Sequence, residues 1–312
     1  MSNRITGDAM SQIPQQSLPA PVVALPLRPR PPAWVVDLFA DGGAVPEDVA
    51  GPFGVPIVSR QLEKFTLLSA AAGESATSSA ALADDVAAAY RSLAHELARQ
   101  RRHAARIWNF VPDIQARMDE AGDRYMAFNG GRFAAYCDWF GGPEAFASAL
   151  PTSSAVGTIG IGHAVWIHVL AADTTGIPID NPRQIPPYHY SRRYGRRPPC
   201  FARATKLDSM LLIVGTASIL GEESRHEGDI DAQAIETLKN IAALIGSVNT
   251  DLADRPLGAL RNLRVHLLDS RHAPAVRSIL DEFTPDLADI EFVQAPLCRR
   301  ELLVEIEGTA NC

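Results

Sequence analysis

Short apolar runs and amphipathic stretches alternate along the second half of the chain, and their order leaves few possible architectures. The predicted elements are strands at 155–162, 164–172, 211–219, 263–268, 290–294 and 302–307, and helices at 232–248 and 273–283. Asp231 is the predicted N-cap of the first of these helices. Because strands and helices do not alternate regularly, the pattern does not indicate a doubly wound nucleotide-binding sheet. It predicts an α+β fold, in which helices pack on one face of a mixed β-sheet.

The chain before residue 155 divides into two parts. Residues 1–32 are rich in proline and polar residues, so we expect a poorly ordered arm there. Residues 33–154 are predicted to form an N-terminal α+β domain, related to or diverged from a second domain at 155–312. The clearest predicted element of the first domain is a long helix between Ala81 and Asn109.

Charge and cysteine usage exclude several classes of protein. The formal net charge of −7 argues against a nucleic-acid partner, which would normally be met by a basic stripe. No apolar run approaches the roughly 20 residues that span a bilayer, and the N-terminus lacks the features of a secretory signal. The four cysteines are widely spaced and form no CxxC pair, which is typical of a reduced compartment. We therefore expect a cytoplasmic protein with no nucleic-acid or membrane partner.

The common signatures of cofactor and metal chemistry are absent from the sequence. The chain has no GxGxxG, no GxxxxGK[ST], no GxSxG and no HExxH motif. Its eight histidines do not have the spacing of a ligand set. We therefore expect neither a metal ion nor an organic cofactor.

Two segments concentrate aromatic and basic side chains. Segment 124–136 places Tyr125 and Arg132 around a predicted Gly-Gly turn, and segment 181–204 holds six arginines and three tyrosines among prolines. Prolines keep a loop rigid without regular structure, and arginine binds carboxylates through two parallel hydrogen bonds. A binding site for a ring-shaped dianion fits this composition. An ordinary surface turn and a solvated basic loop are the alternatives.

The C-terminal segment 295–308 places a carboxyl group on the last predicted strand. Side chains alternate along a strand, so Glu305 and Leu303 face one way while Val304 and Ile306 face the other. We expect Glu305 to lie among apolar neighbours and Glu307, nearer the strand end, to be solvated. A carboxyl group against an apolar wall has a raised pKa and can hold a proton for delivery. The alternative is an ordinary charge at a strand edge.

Four stretches together resemble the chorismatase family, whose members act on chorismate. The resemblance covers about residues 105 to 308, and one departure from the family pattern is GEES at 221–224, where a histidine is expected after the glycine. The stretches are RYMAFNGGRFAAY (124–136), NPRQIPPYHYSRRYGRRPPCFARAT (181–205), LLIVGTASILGEESRHEGD (211–229) with the following QAIETLKNI, and CRRELLVEIEG (298–308).

The resemblance implies roles for particular residues. It implies a C-terminal domain similar to the YjgF/Rid/RutC fold, which commonly builds trimers, and a chain that is a monomer or a homotrimer. Glu305 would be the catalytic acid/base, and Cys298 and Gly215 match the members that form an aromatic product. The implied substrate-binding residues are Tyr125, Arg132, Tyr194, Arg203 and Gly215, with Arg197 as a second choice.

The expected reaction converts chorismate to 3-hydroxybenzoate and pyruvate. A proton from Glu305 would start cleavage of the enolpyruvyl ether, and Cys298 would shape the site near the leaving hydroxyl. Two alternatives stay open at this point. One is a hydrolase that stops at the dihydroxycyclohexadiene carboxylate, and the other is a Rid-like enamine deaminase or metabolite-binding protein.

Overall fold

The computed structural model describes residues 23–24, 29–120, 122–160, 162–249 and 254–312. Most of the predicted arm at 1–32 therefore lies outside the described residues. Residues 29–32 belong to them, and the buried guanidinium of Arg264 donates hydrogen bonds to the carbonyl oxygens of Arg30 and Pro31, both at 2.9 Å.

The first half of the chain forms a six-stranded sheet with the order β2-β3-β4-β9-β5-β8. Neighbouring strands are antiparallel except β5 and β8, which are parallel. The strands are β2 (Glu47–Ala50), β3 (Pro56–Gln61), β4 (Phe65–Ala72), β5 (His103–Phe110), β8 (Thr152–Val156) and β9 (Val165–Ala172). The helices of this half are α1 (Ala33–Asp41), α2 (Ser79–Gln100), α3 (Arg124–Phe140) and α4 (Phe146–Ala149), and a short hairpin joins β6 (Arg117–Asp119) to β7 (Gly122–Asp123).

The second half, together with β1 from near the N-terminus, forms a seven-stranded mixed sheet with the order β1-β16-β15-β17-β12-β11-β10. Strand β17 lies at its centre, antiparallel to both β12 and β15. The strands are β1 (Val23–Ala24), β10 (Ile177–Ile179), β11 (Ala204–Leu207), β12 (Met210–Ala217), β15 (Leu260–Leu267), β16 (Ile290–Gln294) and β17 (Val304–Asn311). A separate hairpin pairs β13 (Ile219–Leu220) with β14 (Glu223–Ser224), and the helices are α5 (Ile230–Val248) and α6 (Ala273–Phe283).

The elements stack in four layers, helix–sheet–sheet–helix. One apolar core lies between the first sheet and α2 and α3, and a second lies between the second sheet and α5 and α6. The opposite faces of the two sheets meet each other, with Trp108 and Leu170 of the first half and Ala217 of the second in a shared cluster. The predicted α+β class, with helices on one face of each sheet, is confirmed.

The predicted helix at 81–109 is too long. Helix α2 ends at Gln100 because Arg101 adopts the left-handed conformation, with φ of 55°. Ile107, which we placed on the helix, belongs instead to β5, where it is buried. The apolar face of α2 is otherwise as predicted, with Leu82 and Val86 fully buried. The helix signal is real, but residues 103–110 satisfy their backbone hydrogen bonds in the sheet.

The predicted Gly-Gly turn in 124–136 is wrong, since the whole segment is helical in α3. The glycines serve the packing of two helices. A Cβ atom at Gly131 would lie 2.9 Å from the Cβ of Val86 and closer still to the carbonyl oxygen of Ala83, both on α2. A missing side chain therefore lets α3 approach α2 closely.

Several other predicted boundaries shift. The helix at 273–283 and the strand at 290–294 have the predicted bounds, whereas the strand predicted at 155–162 ends at Val156. The N-cap of α5 is Asp229, whose side chain accepts a hydrogen bond from the Ala232 amide at 3.0 Å, and not Asp231. The predicted division between residues 154 and 155 falls within β8, and β9 also pairs with the first sheet.

Candidate functional site

A cavity of about 260 Å³ lies between the two halves of the molecule. This volume is near the lower end of the range for small-molecule sites. Helix α3 and strand β8 contribute from the first half. Strands β12 and β17, the loop before β11 and the turn before β17 contribute from the second. All seven predicted site residues line it: Tyr125, Arg132, Tyr194, Arg203, Gly215, Cys298 and Glu305. The second-choice residue, Arg197, lies over the ring of Phe133, 4.8 Å from its centroid.

Glu305 is a buried carboxyl group facing this cavity. Only 4% of the residue is exposed, and its Oε1 has no hydrogen-bond partner among the described residues. Burial and the nearby negative charge of Glu307 raise its pKa to about 8, from 4.5 for an ordinary glutamate. The side chain is therefore protonated near neutral pH and can donate a proton.

The surroundings of Glu305 differ from those predicted. Val304 and Ile306, on the opposite face of β17, lie in the apolar core beneath α5 and α6. The face of Glu305 looks toward the first sheet and carries charged partners. Glu307, predicted to be solvated, is 1% exposed. The prediction was wrong because β17 continues to Asn311, so that Glu307 lies inside the strand and between the two sheets.

Glu307 is ionised and well satisfied. It pairs with Arg106 of β5, and it accepts hydrogen bonds from the Nε1–H of Trp108 at 3.1 Å and the hydroxyl of Ser154 at 3.0 Å. The Nε2 of His266 lies 3.6 Å from its Oε1. Burial alone would raise the pKa of Glu307, but Arg106 and His266 lower it to about 2. Neighbouring carboxyl groups on one strand therefore hold different protonation states.

Two buried guanidinium groups, those of Arg132 and Arg203, supply positive charge to the cavity. Both residues are almost fully buried, and the Nε of each has no hydrogen-bond partner among the described residues. Neither takes part in an ion pair within that part of the chain. Both lie against the ring of Phe201, at 5.9 and 5.2 Å from its centroid. Buried charges normally have a charged partner, so this arrangement suits an anionic ligand.

Hydrogen bonds hold each guanidinium in place. Arg132 donates to the hydroxyl of Ser153 at 3.1 Å and to the side-chain oxygen of Asn129 at 2.8 Å. Arg203 donates to the phenol oxygen of Tyr190 at 2.6 Å. These neutral partners fix the direction of each guanidinium without neutralising its charge.

Tyr194 lies at the rim of the cavity with Arg299, a residue that sequence reasoning missed. The guanidinium of Arg299 stacks on the Tyr194 ring at 4.0 Å from its centroid and donates to the carbonyl oxygen of Glu222 at 2.8 Å. The hydroxyl of Tyr194 donates to that same carbonyl oxygen at 2.7 Å. Arg299 could have been found from its place beside Cys298, and Tyr190 from its place in the arginine- and tyrosine-rich loop.

Cys298 and Glu305 reach the same cavity because the chain turns between them. The turn follows Cys298 and is closed by a hydrogen bond from the Leu302 amide to the carbonyl oxygen of Arg299, at 3.3 Å. Burial and the Glu305 carboxyl raise the pKa of the Cys298 thiol to about 12. Cys298 is therefore a neutral thiol, suited to shaping the site and unsuited to nucleophilic attack.

Gly215 lies on β12, directly beside Glu305. The register between β12 and β17 shifts between Ile213 and Thr216, so Gly215 sits in an irregular part of the strand pairing. A Cβ atom at this position would lie 2.7 Å from the Cδ of Glu305 and closer still to its Oε1. The glycine therefore leaves the space that the Glu305 carboxyl group occupies.

The described residues contain no group of three or more histidine, cysteine, aspartate or glutamate side chains placed to hold a metal ion. In the same part of the chain, no helix combines the length and apolar character needed to cross a membrane.

Comparison with known proteins identifies relatives over most of the chain. The family model of the N-terminal region of FkbO/Hyg5-like chorismatases matches residues 57–171. A 3-hydroxybenzoate synthase from Streptomyces hygroscopicus is 41% identical over 217 residues, 65% of this chain and 62% of that protein. A chorismatase from the same organism is 31% identical over 244 residues, 76% of this chain and 68% of that protein. The aligned region thus spans about two thirds of each relative.

A solved chorismatase structure agrees with these matches. A crystal structure of a chorismatase superposes with a TM-score of 0.72 at 28% identity, and it covers 85% of this chain and 79% of that one. A member of the YjgF/YER057c/UK114 family from Mycobacterium tuberculosis is also a structural neighbour, with a TM-score of 0.29 and 20% identity over 36% of this chain and 86% of that one. From its similarity to curated and solved chorismatases, this chain belongs to the chorismatase family.

Proposed function

We propose that this protein converts chorismate to 3-hydroxybenzoate and pyruvate, with Glu305 as the acid that starts the reaction. The observation that carries the proposal is the protonated Glu305 carboxyl group, which faces a cavity that also holds two buried guanidinium groups with no carboxylate partner among the described residues. Chorismate is a small ring with two carboxylates and an enolpyruvyl ether. The charges of the cavity complement the charges of that substrate.

The proposed chemistry begins with proton transfer from Glu305 to the terminal methylene carbon of the enolpyruvyl group. The ether carbon then becomes an oxocarbenium ion, which one water captures. Collapse of the resulting hemiketal breaks the bond to the ring oxygen and releases pyruvate. The ionised Glu305 can then act as a base. Loss of the second ring hydroxyl and a ring hydrogen as water gives 3-hydroxybenzoate, so the water consumed equals the water released.

Binding of the substrate carboxylates is assigned to Arg132 and Arg203, with Tyr125 and Tyr194 beside them. Arginine can present two parallel N–H groups to a carboxylate, and the unpartnered Nε of each guanidinium keeps hydrogen-bonding capacity for such a ligand. Burial raises the pKa of the Tyr125 phenol, so it stays neutral and can donate a hydrogen bond. The Cys298 thiol is proposed to direct the aromatising step.

The wider setting is also a proposal. We propose a cytoplasmic enzyme acting on chorismate without metal, cofactor, nucleic acid or membrane, as a monomer or a homotrimer. The four free cysteines support a reducing location. We also keep the proposed division of the chain into a domain at 33–154 and a catalytic domain at 155–312. Residues of both domains line the cavity, so both would contribute to the proposed active site.

The test is incubation of the protein with chorismate, chromatographic identification of the ring product and an assay of pyruvate. We expect 3-hydroxybenzoate and pyruvate in equal amounts. Pyruvate with the non-aromatic diol would assign the protein to the chorismate hydrolases instead. Release of ammonia from an amino-acid-derived enamine, without consumption of chorismate, would overturn the proposal in favour of a Rid-like deaminase.

A further inference from the structure

Strand β17 carries two carboxyl groups that face the same side but have opposite surroundings. Glu305 and Glu307 are two residues apart, so their side chains point in the same direction from the strand. Glu307 accepts hydrogen bonds from Arg106, Trp108 and Ser154. Glu305 accepts none from the described residues at its Oε1. If one of the two carries a proton, these contacts place it on Glu305.

The three residues that donate hydrogen bonds to Glu307 come from the first half of the molecule, whereas His266, 3.6 Å from its Oε1, lies on β15 of the second. Arg106 also donates to the carbonyl oxygen of Ile107 at 2.8 Å and to the Ser154 hydroxyl at 2.9 Å. Arg106 and Glu307 are each about 2% exposed at the side chain. Solvent therefore screens the charge of Glu307 weakly, and this charge acts on Glu305 at short range.

The groups that act on Glu305 come from several elements. Glu307 lies on its own strand, Arg106 on β5, and Arg203 before β11. Cys298 lies in the preceding turn, and His266 occupies the position on β15 paired with Glu305. Burial contributes most to the raised pKa of Glu305, and Glu307 is the charged group that raises it further, whereas Arg106 and Arg203 favour the ionised form.

We propose that Glu307 is a positioning residue, whose fixed negative charge keeps the proton on Glu305 at neutral pH. This role requires that Glu307 is ionised, and its ion pair with Arg106 holds it in that state. The two halves of the molecule thus cooperate to set the protonation state of one side chain. This inference rests on the proposed function of Glu305 as an acid.

The experiment is the pH dependence of pyruvate release in wild type and Glu307→Gln. An acid must be protonated to act, so wild-type activity should fall with increasing pH through about 8. Glu307→Gln removes a like charge and leaves the positive charge of Arg106 uncompensated, and a nearby opposite charge lowers the pKa of a carboxyl group by roughly 1–3 units. The alkaline limb of Glu307→Gln should therefore move to lower pH by that amount, with activity recovered in acid. A structural role alone would lower activity equally at every pH.

Two controls make the result specific. Glu307→Asp keeps the negative charge, so the alkaline limb of its pH profile should stay near the wild-type position. Trp108→Phe removes one hydrogen bond to Glu307 but not the charge, so its alkaline limb should also stay near that position. Glu307→Gln with an unmoved limb would overturn the inference. So would Glu307→Asp with a limb displaced as far as that of Glu307→Gln.

An infrared titration of wild type and Glu307→Gln separates this inference from the proposed function, because it needs no turnover. The protonated carboxyl group of Glu305 should give a C=O band that is present at pH 7 in wild type and absent from Glu305→Gln. Disappearance of this band at a lower pH in Glu307→Gln than in wild type would support the inference even in a protein inactive on chorismate. A Glu305 that is already ionised at pH 6 would overturn it, whether or not Glu307→Gln folds.

Discussion

Glu305 is buried and no described residue forms a hydrogen bond with its Oε1, and its raised pKa of about 8 keeps the carboxyl group protonated near neutral pH. Glu305→Gln keeps the shape and the polarity of the side chain but cannot transfer the proton. Because general acid–base catalysis contributes roughly 10²–10⁴-fold, pyruvate release should fall by that factor in a folded protein. Glu282→Gln, an exposed position on α6, is the matched control and should retain wild-type turnover. A Glu305→Gln variant with near-normal turnover would remove Glu305 from the mechanism.

The same substitution should change stability in a pH-dependent way. The pKa of Glu305 is about 8 in the folded protein and about 4.5 in an ordinary glutamate, so the folded state binds an extra proton between these values. The unfolding free energy of wild type therefore decreases, relative to that of Glu305→Gln, as pH rises from about 4.5 to about 8. Denaturant titrations of both proteins at pH 5 and pH 8 measure this difference. A constant difference would contradict the raised pKa.

Cys298 is the position that tests which ring product forms. Its neutral, buried thiol lines the cavity with Glu305, and we expect Cys298→Ala to release pyruvate while shifting the ring product from 3-hydroxybenzoate toward the non-aromatic diol. The measured quantity is the ratio of the two ring products by chromatography. Cys312→Ala, outside the cavity lining, should leave the ratio unchanged. If Cys298→Ala also leaves it unchanged, Cys298 serves only in packing.

Local sequence signals predicted residues that lie together in the structure. The seven predicted residues came from four segments that together resemble the chorismatase family, and the structure brings all seven to one cavity. Prediction failed for Glu307 and missed Arg106, since these partners are 201 positions apart. Strand alternation can place Glu307 on the same face as Glu305. It cannot show that an arginine from another sheet covers that face.

Among the elements, strand β12 leaves space for the Glu305 carboxyl group, because its residue beside that group is a glycine, Gly215. Gly215→Ala would place a methyl group against the Glu305 carboxyl group, so we expect a displaced carboxyl group and a fall in pyruvate release of at least about tenfold, equivalent to 1.4 kcal/mol in the barrier. Circular dichroism should show that the fold is kept. Gly246→Ala is the matched control. Beyond its own stretch of helix, the added Cβ has no described atom within 4 Å, and alanine favours the helix α5. Equal activity of both variants would exclude this role for Gly215.

The type of each element was easier to predict than its boundaries. Periodicity placed α6 and β16 correctly, because their apolar residues repeat at helical and strand spacing within one short segment. It failed at α3, where glycines that usually indicate a turn allow close contact with α2. It also failed after Gln100, where the left-handed Arg101 ends α2. At α3 the deciding interaction comes from another element, which periodicity does not report, whereas α2 ends through the backbone conformation of Arg101 itself.

At the scale of the whole molecule, the site exists only when both halves are assembled. The first half supplies Tyr125, Arg132 and the partners of Glu307, while the second supplies Glu305, Arg203 and Cys298. A sequence pattern can predict two sheets with helices, but the arrangement of their uncovered faces depends on apolar contacts between distant segments. The division that we predicted between residues 154 and 155 therefore separates residues that line one cavity.

This shared interface predicts that the two halves unfold together. Separation of the sheets would expose their common apolar cluster and leave Arg106 and Glu307 without each other, and breaking a buried ion pair by removing one partner costs about 3–5 kcal/mol. We therefore expect a single transition in urea. The four tryptophans all lie between Trp34 and Trp166, so their fluorescence reports on the first half, whereas far-ultraviolet circular dichroism also includes α5 and α6. The midpoints of both signals should coincide. A fluorescence midpoint clearly separated from that of circular dichroism would show that the halves are stable independently.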